Sequence, residues 1–348
     1  MKLLYASRTE SVHDARFLDA WSSQGVDVSA VTLADGVRSA SVAAFRDAVT
    51  RFQPDVVQAG PIVDVGYLVA LEWDGPLVLA SWGFDLMRDV DESQTHRERA
   101  IAALARASVV LTDNDAVTER AVALGASPDA IVQFPWGIDI AAFDAAGPDL
   151  RVSLGWDADA WVVGCTRQHE PLYDVETVLR GFGAFAVTMP QARLLLVGDG
   201  ALSPGLQALA AQLGIADITA FTGALSYDRL PDVYRTLNTY VSASHVDGSS
   251  VSLLEAMASG VAVCVSDIPG NKQWVTSQTG LSFPVGDSDA LGRQLGAVAS
   301  GVAPDGRPVA DLVARARELV EARADWSITR TKFPHIATLA VERHTGVM

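Results

Sequence analysis

Two acidic residues, eight positions apart, stand in the part of the chain that is richest in polar chemistry. Asp247 opens a short Asp-Gly-Ser-Ser turn, and Glu255 lies in the helix predicted to follow it. The free backbone N–H groups at the start of such a helix suit a phosphate or another anion. Because their spacing is about two helical turns, the two carboxylates could face the same side of a cleft. The alternative is structural: Asp247 caps the turn, and Glu255 forms a capping box with Ser252.

The elements that must position these residues alternate regularly along the chain. Short apolar runs are typical of buried parallel strands, and the amphipathic stretches between them predict helices. The predicted strands are 2–6, 26–33, 55–59, 76–82, 109–112, 131–134, 161–165, 193–197, 239–242 and 261–266. The predicted helices are 12–24, 42–52, 92–107, 113–125, 175–187, 204–213, 229–237 and 251–259, with a mostly helical part from about residue 290. This pattern predicts two doubly wound α/β domains in tandem, with ligands outside the carboxyl ends of the strands.

One segment, 140–159, interrupts the alternation. It contains Ala-Ala-Gly-Pro and several aspartates without a clear period, which is typical of a domain linker. We therefore expect a first domain over 1–145, a second over 160–325, and a separate C-terminal helix over 326–348.

Composition excludes several classes of protein. The chain has 348 residues, of which 49% are hydrophobic and 20% charged, as in ordinary globular proteins. Its formal net charge of −16 argues against nonspecific binding to nucleic acid or to an anionic membrane. Cys165 and Cys264 lie in apolar runs and are expected to be core thiols. No signal peptide, no apolar run of about 18 residues and no cluster with metal-ligand spacing is evident, so we expect a cytoplasmic protein without a metal, with loose membrane association left open.

The run Asp247-x7-Glu255 continues as Ala-Met-Ala-Ser-Gly and is followed by Ser-Asp-Ile-Pro-Gly at 266–270. Together these runs resemble the signature of family 4 retaining glycosyltransferases. Further segments resemble the family in its order along the chain: 136–143, Arg167 with 175–179, 195–200, 221–223, 230–234, 239–242 and Trp326. The resemblance covers nearly the whole chain, and it is specific across 162–285 and weak before residue 130.

The resemblance implies the GT-B architecture, with two Rossmann-like doubly wound domains and an interdomain cleft. The first domain would bind the acceptor, the second the nucleotide sugar, and the C-terminal helix would cross back to the first domain. The implied activity is a retaining, metal-independent hexosyltransferase without a cofactor. Its donor would be a nucleotide-diphosphate sugar, above all a UDP- or GDP-sugar, and its acceptor a sugar, lipid-linked or small molecule. Two alternatives stay open: a degenerate GT-B protein that binds nucleotide or sugar without turnover, and a sugar-nucleotide epimerase on the same fold.

Roles carried over from the family fall on individual positions. Glu255 matches the acid that binds the ribose hydroxyls, and Asp247 matches the acid that contacts the donor sugar. Arg167 matches the arginine that stabilises the departing diphosphate, with a surface ion pair as the alternative. The remaining donor-side positions, which would offer backbone groups, are Gly198, Gly248, Ser249, Ser250 and Val251.

Three departures from the family pattern bear on function. Asp247 replaces the usual Glu, which keeps the charge and shortens the reach by one methylene. Tyr173 replaces a Lys that shares the diphosphate, and a phenol can donate a hydrogen bond but is uncharged at neutral pH. His169, in the same loop, could supply charge or simply be solvated. Trp82 replaces a His near the acceptor, which leaves Asp85 as a candidate catalytic group; packing and helix capping are the structural alternatives.

The loop after the first predicted strand lacks the glycines that are common in the family. Arg8, His13 and Arg16 stand at the start of the first predicted helix and are candidates to meet an anionic acceptor. They could equally be exposed residues at the start of the first helix.

Overall fold

The computed structural model describes residues 1–9, 12–34 and 36–346. Its strands are β1 (Lys2–Ser7), β2 (Asp27–Thr32), β3 (Val56–Ala59), β4 (Leu77–Ala80), β5 (Val109–Thr112), β6 (Ile131–Gln133), β7 (Trp161–Cys165), β8 (Ala192–Leu196), β9 (Thr219–Phe221), β10 (Thr239–Ser242), β11 (Ala262–Ser266) and β12 (Leu281–Phe283). Its α-helices are α1 (Val12–Ser23), α2 (Ser39–Phe52), α3 (Tyr67–Glu72), α4 (Val90–Glu92), α5 (Gln94–Arg106), α6 (Asp115–Ala123), α7 (Val175–Ala186), α8 (Ser203–Gln212), α9 (Leu230–Thr236), α10 (Val251–Ala258), α11 (Pro269–Lys272), α12 (Ser288–Ser300), α13 (Val309–Arg323), α14 (Trp326–Thr329) and α15 (Phe333–Thr345). Short π-helices cover Ile62–Gly66 and Asp85–Asp89, and 3₁₀ turns cover Pro128–Ala130, Pro171–Tyr173, Ala216–Ile218, Tyr227–Arg229 and Arg330–Lys332.

The chain divides into two compact units, each built on its own parallel sheet. The first unit comprises Met1–Trp136 with the chain from Ser327 on, and the second comprises Gly137–Trp326. The first sheet has the strand order β2-β1-β3-β4-β5-β6, and the second has the order β12-β11-β10-β7-β8-β9. Both are doubly wound sheets of the Rossmann type, as the alternation of elements predicts.

In the first unit, β3, β4 and β5 are buried along their whole length, which explains why they appear in the sequence as uninterrupted apolar runs. The C-terminal helix α15 packs on this unit through Phe333. The Phe333 ring lies 5.2 Å from that of Phe17 and 4.8 Å from that of Trp21, in edge-on geometry. Aromatic contacts of this kind add to the burial of the rings and fix the helix on the sheet.

In the second unit, β7 is one of the two central strands, and it is buried except at its first residue. It pairs with β8 on one side and with β10 on the other, so the strand order reverses between β7 and β10. In doubly wound sheets such a reversal opens a crevice at the carboxyl ends of the two strands. That edge carries the residues described below.

Residues 137–160 pack on the core of the second unit, whereas the sequence suggests a linker over most of this stretch. Phe143 is fully buried, with its ring 5.6 Å from that of Tyr234. Leu150 is also buried, and its N–H donates to Thr236 Oγ1 at 2.8 Å. Because these apolar anchors are widely spaced, they leave no period in the sequence. The boundary between the units falls after Trp136, ahead of the expected boundary at 145.

No helix in the described ranges is both long enough and apolar enough to cross a membrane.

Candidate functional site

The candidate site lies where the strand order of the second sheet reverses. Arg167 follows β7 by two residues, and Asp247 lies in the loop after β10. The two strands are paired neighbours, with Tyr240 opposite Gly164. Because both strands run in the same direction, their carboxyl ends bring Arg167 and Asp247 to one edge of the sheet.

Arg167 is the centre of this site. Its Nη1 donates to Ser250 Oγ at 2.8 Å and to Ser252 Oγ at 3.0 Å, and its Nη2 donates to Asp247 Oδ2 at 2.7 Å. The guanidinium carbon stands 4.1 Å from the centroid of the Tyr173 ring. Only 10% of the Arg167 side chain is exposed. Burial is the largest single effect and opposes the charged form, but the Asp247 carboxylate and smaller contributions from Tyr173, Tyr240 and Cys165 together outweigh it and hold the pKa of Arg167 above its ordinary value.

Ser252 belongs to this arginine site, and the capping box predicted for it is wrong. Helix α10 begins at Val251 with Ser250 as its N-cap, and that cap makes no side-chain hydrogen bond. The Ser252 hydroxyl instead lies 2.7 Å from Tyr240 Oη as well as next to Arg167. Asp247 stands in the turn before the helix, so the two acids do not lie along one helix. Asp247 belongs to that turn, and Glu255 belongs to α10.

Glu255 is buried in α10, with 2% of its surface exposed. The hydroxyl of Tyr234 lies 2.8 Å from Glu255 Oε2 and 2.9 Å from Thr166 Oγ1. Burial, and the carboxylate of Glu255 after it, raise the pKa of Tyr234, so this phenol stays protonated and can donate. A donor at this position fixes the orientation of one carboxylate oxygen.

Tyr234 and Tyr240 are the residues of the site that the sequence reasoning missed as functional. Each appears in a segment that resembles the family, but their contacts join residues far apart in the chain. Tyr234 meets Glu255 across 21 positions, and Tyr240 meets Ser252 across 12. A buried tyrosine needs a hydrogen-bond partner, and this is the signal that could have drawn attention to them.

Two glycines let neighbouring loops lie against the site. Gly198, just after β8, has a φ of 145°, and a Cβ there would overlap the carbonyl oxygen of Arg167. Gly270, in α11, lies so close to the backbone of Asp247 and Gly248 that a Cβ would overlap their carbonyl oxygens. The close approach therefore requires glycine at both positions. It fixes the main chain on either side of the Arg167–Asp247 ion pair.

The Asp-Gly-Ser-Ser turn is held by hydrogen bonds within the second unit. The N–H of Gly248 donates to Asp247 Oδ1 at 3.0 Å. Ser249 Oγ accepts from Gln273 Nε2 at 2.7 Å and from the indole nitrogen of Trp274 at 3.2 Å. The first residue of the helix, Val251, is half-buried. These contacts give the turn a defined shape beside Arg167.

His169 is neither a solvated loop residue nor a source of positive charge at neutral pH. It is 2% exposed, and its Nδ1 lies 2.8 Å from Ser203 Oγ, which in turn donates to Asp199 Oδ1 at 2.6 Å. Burial lowers the pKa of His169, so its ring is neutral near pH 7. The residue joins the loop after β7 to the start of α8.

Asp85 lies in the first unit with the contacts of a structural cap. It is fully buried, and its carboxylate accepts from the N–H of Ile62 at 2.8 Å, from Ser81 Oγ at 2.7 Å and from the N–H of Trp82 at 3.1 Å. Burial raises its pKa to about 6, against an ordinary value of 3.8. The contacts favour the capping alternative over a catalytic role, because both oxygens accept hydrogen bonds from the loops after β3 and β4.

Trp82 packs in an aromatic cluster of the first unit. Its ring lies 5.6 Å from that of Phe17 and 6.0 Å from that of Trp136. Arg8, at the end of β1, has its Nε 3.6 Å from Asp64 Oδ2 and an exposed side chain. His13 lies in α1, but its side chain is outside the described part of the structure. Among the described residues, no three His, Cys, Asp or Glu side chains are grouped so that they could hold a metal ion.

Part of the chain is similar in sequence to known proteins. Residues 148–301 match the family described as Glycosyl transferases group 1. A D-inositol 3-phosphate glycosyltransferase of Saccharomonospora viridis is 28% identical over 66% of this chain and 58% of its own length. One of Streptomyces scabiei is 25% identical over 80% of this chain and 66% of its own length. The chain thus spans less than two thirds of these two relatives.

Solved structures show the same fold over nearly the whole chain. The structure of Alr3699/HepE from Anabaena in complex with UDP has a TM-score of 0.80 at 18% identity, covering 97% of this chain and 100% of that one. Its complex with UDP-glucose has a TM-score of 0.77 at 18% identity, covering 100% of this chain and 99% of that one. Residues 148–301 are therefore similar to the glycosyl transferases group 1 family, and the chain as a whole has the GT-B fold.

Proposed function

We propose that this chain is a retaining glycosyltransferase that moves a sugar from a UDP- or GDP-sugar to an acceptor. One observation carries the proposal. A charged, 10% exposed guanidinium, that of Arg167, is held by two serine hydroxyls and an aspartate at the sheet edge where ligands bind in doubly wound folds. A fixed cation in a partly dry site suits the departing diphosphate, whose negative charge grows as the sugar leaves.

The buried acid of α10 would serve the nucleotide. Glu255 has one oxygen held by Tyr234, at 2.8 Å, and a carboxylate so oriented can accept from the two hydroxyls of a ribose. Asp247 would serve the sugar. Because its Oδ2 is bonded to Arg167 in the free protein, donor binding would exchange this partner, with the diphosphate moving to Arg167 and a sugar hydroxyl to Asp247.

The reaction that fits this arrangement needs no protein nucleophile. The acceptor oxygen forms a bond to the anomeric carbon on the face from which the diphosphate leaves, while the bond from that carbon to the phosphate oxygen breaks. The acceptor proton passes to the departing phosphate oxygen, so charge and atoms balance. Arg167 stabilises the negative charge that this oxygen gains, and the products are a glycoside of unchanged anomeric configuration and a nucleoside diphosphate.

The comparisons set the order in which substrates are tried. UDP-glucose is the first donor, because the Anabaena protein was solved with it. GDP-mannose is the second, because a relative from Corynebacterium glutamicum is GDP-mannose-dependent by name. D-inositol 3-phosphate is the first acceptor, because two relatives act on it by name, and unphosphorylated inositol is its control. An anionic acceptor would suit Arg8, which is exposed at the end of β1.

The test is an assay of nucleoside diphosphate release with and without acceptor. We expect release that depends on the acceptor, an unchanged anomeric configuration by NMR, and full activity in EDTA, with Arg167 in place of a metal. Nucleotide binding without release would favour the non-catalytic alternative, and a changed sugar on the intact donor would favour an epimerase. Inverted product, or activity lost in EDTA and restored by Mn²⁺, would contradict the proposed mechanism.

A further inference from the structure

Tyr173 makes an unusually close contact with the central arginine. The Arg167 guanidinium carbon is 4.1 Å from the Tyr173 ring centroid. Other stacks in this chain are looser, at 5.6 Å for Arg88 on Phe84 and 5.5 Å for Arg99 on Tyr67. A guanidinium at this distance over a ring face is attracted by the ring electrons, most strongly where water is excluded. Arg167 is nine-tenths buried, so its stack belongs to that stronger class.

The ring is itself held in place from several directions. Tyr173 ends the 3₁₀ turn Pro171–Tyr173, and it packs against the core beneath the second sheet. The turn is tied to the loop of Asp247 because the N–H of His245 donates to the carbonyl oxygen of Leu172 at 2.9 Å. Asp174, which follows, caps α7 through Thr177 at 3.2 Å. The ring is therefore a fixed surface, whereas the polar partners of Arg167 sit on short, rotatable side chains.

The guanidinium also has a side without a polar partner. Nε of Arg167 is buried and makes no hydrogen bond. The orientation of the guanidinium plane is therefore fixed by the hydrogen bonds of Nη1 and Nη2 and by the Tyr173 ring. When Asp247 turns to the sugar, as the proposed function requires, Nη2 loses its bond and the ring becomes the support that does not change.

We propose that Tyr173 is a positioning residue, whose ring holds the Arg167 guanidinium in the orientation that meets the second phosphate of the donor. The inference rests on the proposed function, and it assigns the positioning of Arg167 to the ring face and not to the phenol hydroxyl. By holding Arg167 in place, the neutral ring contributes part of the diphosphate stabilisation that a second cation would otherwise supply.

The experiment is calorimetry with UDP and UMP, and with GDP and GMP in parallel, on the full chain. Tyr173→Phe keeps the ring, and Tyr173→Leu removes it. Tyr67→Leu is the matched control, because it removes the ring of another arginine stack, in the first unit. The same Tyr173→Leu change in an Arg167→Ala background completes the cycle.

We expect Tyr173→Phe and Tyr67→Leu to bind the diphosphate as the wild type does. Tyr173→Leu should bind it about fivefold to thirtyfold more weakly, with monophosphate affinity changed by no more than about twofold. In the Arg167→Ala background, Tyr173→Leu should add no further loss. Retained monophosphate binding shows that the variant site is folded.

Three results with the single Tyr173 variants would overturn the inference while leaving the proposed function intact. They are a Tyr173→Leu variant that binds as the wild type does, a Tyr173→Phe variant as impaired as Tyr173→Leu, and equal losses for monophosphate and diphosphate. A further loss in the Arg167→Ala background would likewise show that the ring does not act through the arginine. A wild-type protein that binds neither nucleotide series would overturn the proposed function itself, and the inference with it.

Discussion

Arg167 and Asp247 neutralise each other in the free protein, and this pairing shapes what single substitutions should do. The ion pair is 2.7 Å long, and both side chains are largely buried, at 10% and 18% exposed. Removing one partner of such a pair leaves the other with a desolvated charge. Each substitution at this site therefore changes both the contacts available to the ligand and the net charge of the site before the ligand binds.

Arg167→Ala should lower turnover by roughly 10²–10³, as expected for the loss of one preorganised donor to a developing charge. Arg180→Ala is the control, because Arg180 pairs with Glu176 on the exposed surface of α7 and should leave turnover unchanged. Steady-state release of nucleoside diphosphate measures both variants. Wild-type turnover in a folded Arg167→Ala protein would remove this arginine from the mechanism.

Substitutions of the two carboxylates should differ in which ligands they weaken. Glu255→Gln should weaken the free nucleoside diphosphate and the donor alike, by about 1.5–3 kcal/mol for a hydrogen bond to a charged group. Asp247→Asn should not weaken the free nucleoside diphosphate, since it removes the negative charge beside Arg167. It should lower turnover and the preference among donor sugars, because it misorients the sugar.

Calorimetry with UDP and with UDP-glucose distinguishes these outcomes. If Asp247→Asn weakens UDP as much as Glu255→Gln does, the two roles are misassigned. If neither substitution affects either ligand, both acids are structural and the donor binds elsewhere.

At the scale of elements, the site depends on how closely the loops after the strands can approach one another. Gly198→Ala would force a Cβ into the carbonyl oxygen of Arg167. It should destabilise the protein by about 1–3 kcal/mol, as overpacking does. Gly205→Ala is its counterpart, because Gly205 lies in α8 with open space around it.

Urea denaturation should show opposite signs for the two glycine variants. Gly205→Ala should stabilise by about 0.5–1 kcal/mol, the usual gain of Ala over Gly within a helix. A neutral Gly198→Ala variant would show that the loop after β8 can move away from Arg167 without cost.

Asp85 joins two loops of the first unit, and its raised pKa gives a pH dependence. A carboxyl whose folded pKa is about 6 against 3.8 stabilises the protein fully below pH 3.8, and this contribution is lost as the pH rises through about 6. Relative to Asp85→Asn, the free energy of unfolding of the wild type should fall by about 3 kcal/mol over that range. Urea denaturation of both proteins from pH 4 to 7 measures this, and a constant difference would show that Asp85 does not titrate there.

Most elements could be predicted because buried parallel strands leave apolar runs that do not depend on the rest of the fold. The exceptions in the second sheet are β9 and β12, which have three residues each and form its two edges. An edge strand this short carries too few residues to show a pattern. The linker prediction over 140–159 failed for a related reason, since Phe143 and Leu150 anchor it without any periodicity.

The candidate site was predictable in part. Arg167, Asp247 and Glu255 belong to segments that resemble a family signature, so their types and order identify them. The stack of Tyr173 on Arg167 and the contact of Ser252 with Tyr240 were not predictable, because each depends on how loops far apart in the chain meet. Sequence alone also favoured a helix cap for Ser252, because the Ser-x-x-Glu spacing within the family-like segment is also typical of a capping box.

For the whole molecule, the site is a largely buried ion pair in a strongly acidic chain. The net charge is −16, and the buried guanidinium of Arg167 is balanced by Asp247. An anionic nucleotide therefore approaches against the mean field of the protein, and specific contacts must supply its affinity.

Nucleotide binding should be visible as stabilisation of the whole chain. A ligand at 100 times its dissociation constant adds about 2.7 kcal/mol to the free energy of unfolding. A thermal-shift screen over UDP-, GDP- and ADP-sugars should show a rise for one base, and Arg167→Ala should reduce it. No rise for any of them would contradict the proposed donor class.

A natural optical reporter, Trp274, contacts the turn that carries Asp247. The indole nitrogen of Trp274 donates to Ser249 at 3.2 Å, and Arg323 lies 5.0 Å from the centre of its ring. Indole emission responds to nearby charge and to hydrogen bonding, so a ligand that reshapes this turn changes the light the protein emits. Occupancy could then be followed in real time, without a label and without turnover, by comparing the wild type with Trp274→Phe.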